Sequence, residues 1–153
     1  MNSMSKPEPN KLTNLDHYGF PPLLWSRAHS ALVTGSPSPS ATFFLGTVGP
    51  DGTPHAAGVG GLWQDNLYFT SGPRMRKARD LAANPPSTVS ARLPDIDLVL
   101  EGRGDPRDGR PALEQIAARS RRGGCPAQVY GDALTAPFQR PSAGQPPVAL
   151  VPQ

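Results

Sequence analysis

Between Ala41 and Ser71 three short runs of apolar and β-branched residues alternate with two tight-turn signals: ATFFLGTV (41–48), GPDG (49–52), TPHAAGVGGLW (53–63), QDN (64–66) and LYFTS (67–71). Connections this short join only neighbouring antiparallel strands, because a parallel pair needs a crossover of about a dozen residues or more. The stretch therefore predicts a meander. STVSARL (87–93) and LVLEGRG (98–104), joined by the turn PDID, extend the same scheme by two strands. Short strands closed mostly by hairpins predict a mainly β fold, a small barrel with flanking helices, and not an alternating βαβ sheet.

Three helical patterns flank these strands. From Pro22 to Leu32 the residues Leu24, Trp25, Ala28, Ala31 and Leu32 recur at helical spacing, with Pro22 suited to a first turn and Gly35 to the position past the end. A short basic helix follows LYFTS. In PALEQIAARSRR (111–122) the residues Leu113, Ile116, Ala117 and Ser120 share one face, and Asp108 is placed to cap it. The 153 residues, 37% hydrophobic with 20 prolines and 16 glycines, allow one modest core with irregular margins. That divides the chain into a disordered segment at 1–19, a barrel domain at 20–122 and a Pro/Gly-rich tail at 123–153.

Charge and special residues exclude several classes. The net charge of +3 sits in local clusters, which signals a nucleic-acid surface only weakly. Cys125 is the sole cysteine, so no intramolecular disulfide or multi-cysteine zinc site can form, and it reads first as a small apolar filler. His17, His29 and His55 have no metal-ligand spacing. No apolar run approaches the ~20 residues of a membrane span, and the N-terminus lacks the order of a secretory signal, so a cytoplasmic protein is expected.

Two stretches point to a site. From His55 to Gly61 the side chains Ala56, Ala57, Gly58, Val59, Gly60 and Gly61 are too small to fill a barrel wall. Glycine in a strand marks either close approach by a ligand or relief of crowding at a bend, and both readings stand. TSGPRMRKARDLAANP (70–85) places Arg74, Arg76, Lys77 and Arg79 at the start of a helix, where the dipole already favours anions. One reading is a solvated face. The other is a phosphate seat, formed by the strand-end hydroxyls of Thr70 and Ser71, the turn glycine Gly72, the cations and the helix N-terminus. His55 is the histidine on the small-residue strand and the first candidate for a hydrogen bond to a ring there, unless its side chain faces away. Trp63 and Tyr68 either stack near such a ligand or pack the hairpin.

FFLGTVGPDGTPHAAGVGGLWQDNLYFTSGPRMRKARDLAANP resembles the core of the pyridoxamine 5′-phosphate oxidase-like split β-barrel flavoproteins, and VLEGRGDPRD resembles their next strand and connection. The resemblance covers residues 20 to 140. It implies a homodimer binding FMN at the dimer interface or, in a related branch, the deazaflavin coenzyme F-420, with hydride or electron transfer to a small-molecule substrate. It further implies that Arg76 and Lys77 hold the cofactor phosphate, with Thr70 and Ser71 beside them, and that His55, Ala56, Ala57, Gly58 and Val59 run along the ring. Such proteins continue past the segment matching YGDALTAPFQRPSAGQPP into a final strand, whereas here the chain stops at ALVPQ (149–153), so the barrel is expected to lack its last strand. Where related sequences carry a large aromatic residue, this one has Cys125.

Because a flavin carries its own redox chemistry, the lack of a triad, metal set or carboxylate pair is consistent with an oxidoreductase, and no catalytic residue is assigned. The alternative is a non-catalytic barrel that binds a flavin or another anion through residues 74–79. Single-stranded nucleic acid would need aromatic platforms interleaved with those cations, and none is present.

Overall fold

The computed structural model describes residues 9–36, 41–64, 66–106, 110–122, 128–130, 133–135 and 147–152. Asp108 and Cys125 lie outside them. Helix α1 (Trp25–Gly35) is followed by strands β1 (Phe43–Val48), β2 (Pro54–Val59), β3 (Leu62–Gln64) and β4 (Asn66–Thr70). Then come α2 (Arg76–Ala83), β5 (Pro86–Leu93), β6 (Ile96–Pro106), α3 (Arg110–Arg122), β7 (Gln128–Tyr130), β8 (Ala133–Thr135) and β9 (Pro147–Pro152). Seven strands form one antiparallel sheet in the order β2-β1-β5-β6-β9-β4-β3, and β7 and β8 form a separate hairpin. The sheet curls into a split barrel.

Alternation makes the barrel. Along β1, Phe43, Leu45 and Thr47 are buried while Phe44 and Val48 are exposed, the period of two that sends one face inward. Phe43, Leu45, Leu67, Phe69, Val89 and Leu93 meet in one core with Leu32 of α1 and Leu81 of α2. Each such side chain contributes about 1.5–3 kcal/mol by leaving water. α1 starts later than its apolar spacing predicts, Leu24 being extended (ψ 151°) at the N-cap. It buries Ala28, Ala31 and Leu32, and beyond it the Ser36 hydroxyl accepts the Trp63 N–H at 2.8 Å.

The expectation of a missing last strand is overturned. β9 lies inside the sheet, four of its residues paired to β4 and five to β6. The sequence concealed it because its four apolar residues stand between Pro147 and Pro152, and proline argues against a central strand. Here both prolines fall at the strand's ends, where losing an N–H donor interrupts little of the ladder. β9 belongs to the stretch read from sequence as a tail. The sheet's free edges are therefore β2 and β3.

The single strand expected over 53–63 is two strands, broken at Gly60 and Gly61. In the N-terminal segment, residues 9–19 carry no helix or strand, and the Asp16 carboxylate accepts the N–H groups of Tyr18 and Phe20 at 3.2 and 2.9 Å. At the β5–β6 turn Asp95 adopts φ 63°, a conformation that aspartate tolerates better than most residues. Beside it Arg92 donates two hydrogen bonds to Asp97, at 2.7 and 2.9 Å, which hold the Asp97 carboxyl below its ordinary pKa.

Candidate cofactor site

The site starts where β4 ends. Thr70 is partly buried and Ser71 is 1% exposed, its hydroxyl donating to the Gly72 carbonyl at 3.2 Å. The chain then turns, Met75 N–H donating to the Gly72 carbonyl at 3.0 Å, and α2 begins with Arg76 and Lys77 as its first two residues. Met75 at the N-cap is extended and offers no side-chain cap, and the first turn holds no acid. Its leading N–H groups thus lack the side-chain acceptor that usually satisfies a helix start. Arg74, Arg76 and Arg79 are exposed or partly so, and Lys77 is partly buried.

Three side chains tie α2 to the barrel wall. Asp80, 4% exposed, accepts the Thr47 hydroxyl of β1 at 2.9 Å and lies 3.6 Å from the Nε of Arg76. Asn84 donates to the carbonyls of Val48 and Gly49 at 3.1 and 3.2 Å. Leu81 packs so closely on Gly104 of β6 that a Cβ there would stand 2.8 Å from it. Close by, in the β1–β2 turn, the N–H and hydroxyl of Thr53 hold the Asp51 carboxyl below its ordinary pKa, helped slightly by the charge of Arg76.

β1 carries the connection to the small-residue strand. Its register sets Thr47 against His55, Gly46 against Ala56, Leu45 against Ala57, Phe44 against Gly58 and Phe43 against Val59. Arg76 is thus tied through Asp80 to Thr47, the register partner of His55. The structure brings His55, Ala56, Ala57 and Gly58 onto a free sheet edge next to β1, the strand on which α2 packs. Val59, 8% exposed, faces the core, and Ser71 is enclosed. The Nδ1 of His55 is buried without a hydrogen-bond partner. A groove of about 720 Å³ crosses four strands at this level, with Gly46, Thr47, His55, Ala56, Ser87 and Glu101 in its lining. Ser87 Oγ is likewise buried and unpartnered.

The glycines separate by cause. A Cβ on Gly61 would come within 2.7 Å of the Phe43 ring and 3.1 Å of Leu67, so packing requires its smallness. Gly58 has only Thr42 at 3.9 Å, and Gly60 has nothing within 4 Å. Crowding explains Gly61 but leaves Gly58 and Gly60 open to a ligand or partner. Gly61→Ala is expected to destabilise the fold by about 1–3 kcal/mol, as overpacking does. Gly58→Ala is expected to leave the melting temperature within a few degrees. Thermal melts of both variants check this, and equal losses would defeat the distinction.

Trp63 and Tyr68 turn out to be packing residues. Trp63, 2% exposed, meets Trp25 and His29 edge-on at 5.9 and 6.1 Å, and Tyr68 packs against Leu62, Ile116 and Ala117. Sequence reasoning missed Thr47 and Asp80. The available signals were a hydroxyl at an inward position of an apolar strand and one acid four residues after Arg76. Among the described residues no cluster of metal-ligand type occurs, and no helix is long and apolar enough to cross a membrane.

Fold and site together define a split-barrel protein with a cation-bearing helix start tied to β1, one strand in from a free edge of small residues. The chain belongs to the pyridoxamine 5′-phosphate oxidase family, whose model matches residues 34–142. It is similar to the structure of an F420 reductase, 27% identical with a TM-score of 0.55 over 82% of this chain and 92% of that one. A pyridoxamine 5′-phosphate oxidase-related, FMN binding protein from Nostoc punctiforme shares 17% identity, with a TM-score of 0.56 over 84% and 80%. General stress protein 26 from Bacillus anthracis shares 17%, with a TM-score of 0.57 over 84% and 88%. The curated proteins give no match.

Proposed function

We propose that this chain binds a phosphorylated flavin, either FMN or the deazaflavin coenzyme F-420, and acts as an oxidoreductase on a small molecule. The observation that carries this reading is the uncapped, cation-bearing start of α2, with Arg76 tied through Asp80 to Thr47 of β1, the strand that pairs with the small-residue strand β2. The names of two similar structures, an F420 reductase and an FMN binding protein, support the same ligand class.

The residues present fit such a group. Arg76 and Lys77 would hold the phosphate with charge-assisted hydrogen bonds, joined by the uncapped N–H groups of the first turn of α2. Ala56 and Gly58, both exposed, would let a flat ring lie against the backbone of β2. His55 alternates with them onto the inward face of β2, the side of Thr47 and Val59, so its buried Nδ1 is not offered to a ring on that exposed face. When bound, the cofactor supplies hydride or electron transfer, and the protein orients it and shields it from water.

A second copy of the chain completes the reading. Phe44, Val48 and Val99 are 52%, 40% and 51% exposed, on the outward faces of β1 and β6. Such an apolar area fits an isologous homodimer interface. The test is titration of FMN and of F-420 into the purified protein, followed by absorbance, with light scattering of the loaded form. The expected result is saturable binding of one ligand by a dimer, together with turnover of an electron acceptor. Binding without turnover would favour the non-catalytic alternative, a monomer that retains the ligand would remove the dimer, and failure of both ligands to bind would overturn the proposal.

A further inference from the structure

We propose that Asp80 is a positioning residue that sets the guanidinium of Arg76 for the cofactor phosphate, an inference that rests on the phosphate-seat reading above. Asp80 is 4% exposed and sits one helical turn past Arg76. Its carboxylate is fixed at the barrel wall by the Thr47 hydroxyl at 2.9 Å, and the same oxygen, Oδ2, faces Arg76 Nε at 3.6 Å. Burying a carboxylate is costly unless it is partnered, and among the described residues Thr47 and Arg76 partner this one.

The geometry divides the donors of Arg76. Its Nε stands 3.6 Å from Asp80 Oδ2, an ion-pair distance, and the side chain is 45% exposed, so a phosphate can reach its terminal nitrogens. A planar guanidinium held along one edge offers the opposite pair of N–H groups as a fork, the arrangement that grips a phosphate bidentately. An exposed arginine without such an anchor samples many rotamers and loses that freedom on binding. One effect opposes this: the carboxylate repels an incoming phosphate. That repulsion acts across a wet rim and is screened by water and salt, whereas the orienting contact lies at the protein wall.

Affinities of FMN and riboflavin, or of F-420 and its phosphate-free chromophore, are measured for wild type, Asp80→Asn, Arg76→Ala and the double variant, with apo melting curves. Asparagine retains an acceptor for Thr47 and removes the charge. Asp80→Asn is expected to weaken the phosphorylated ligand about tenfold, the scale of one well-oriented charged contact, to leave the phosphate-free ligand unchanged, and to add nothing in the Arg76→Ala background. Unchanged or tighter binding of the phosphorylated ligand, an equal loss of riboflavin, or the same tenfold loss in the Arg76→Ala background would each overturn it. If Asp80→Asn does not fold, Thr47→Val decides: a loss confined to the phosphorylated ligand supports the proposal and unchanged affinity overturns it. Arg76→Ala with undiminished affinity would instead sink the phosphate seat itself, and with it this role for Asp80.

Discussion

Replacing both Arg76 and Lys77 by alanine is expected to weaken binding of the phosphorylated cofactor by roughly a hundred- to ten-thousandfold. Each cation contributes charge-assisted hydrogen bonds worth about 1.5–3 kcal/mol, and about 1.4 kcal/mol is a factor of ten. Lys77→Ala alone should lose about ten- to a hundredfold. The apo protein should separate the two positions. Removing Lys77 takes a cation from a helix N-terminus and relieves repulsion by a few tenths of a kcal/mol. Removing Arg76 also deprives the buried Asp80 of its ion-pair partner, which lowers stability. Titration of FMN and riboflavin into each variant, beside apo melts, checks both statements. Unchanged FMN affinity would return residues 74–79 to the solvated-face reading, and a loss shared equally by riboflavin would mean that the cations shape the fold and not the phosphate seat.

The local order was legible in the sequence wherever one residue type settled a local choice. GPDG and QDN fixed two antiparallel turns, and Gly52 in the first has φ 83° in the structure. ATFFLGTV marked a strand, but its continuous Phe43-Phe44-Leu45 run left open which face of β1 enters the core. Long-range facts were less accessible. That β6 pairs with β9 depends on a register between residues 102–106 and 148–152, which no local pattern encodes. The role of Thr47 needs residue 80 brought across 33 positions of chain. The small-residue run looked uniform, yet Phe43 explains Gly61 and not Gly58 or Gly60, because the ring that crowds one glycine belongs to a strand joined only through the fold. The cation cluster was visible at once. What holds its orientation was not, because Asp80 reads in sequence as one more charge on a polar helix.

A chain ending at residue 146 is expected to lose its cooperative unfolding transition. Without β9 the sheet separates into β2-β1-β5-β6 and β4-β3, which no other ladder joins among the described residues. Both halves supply the same core, Leu67 and Phe69 from one side and Phe43, Leu45 and Val89 from the other, so neither half can bury its apolar face alone. β9 makes four register pairs with β4 and five with β6. At about 0.5–1.5 kcal/mol net per backbone hydrogen bond, losing them approaches the roughly 5–15 kcal/mol total stability of a domain. The point variant Leu150→Pro tests the same ladder without shortening the chain. Leu150 pairs with Leu67 on one side and Gly104 on the other, and proline within a strand flanked on both sides removes a ladder donor and clashes, at about 3 kcal/mol or more. Circular dichroism melts and near-ultraviolet spectra should show a molten or unfolded truncated chain and a strongly destabilised Leu150→Pro. A cooperative melt of the truncated chain within a few degrees of wild type would mean that β4 reaches β6 without β9, and the strand order β6-β9-β4 would be wrong.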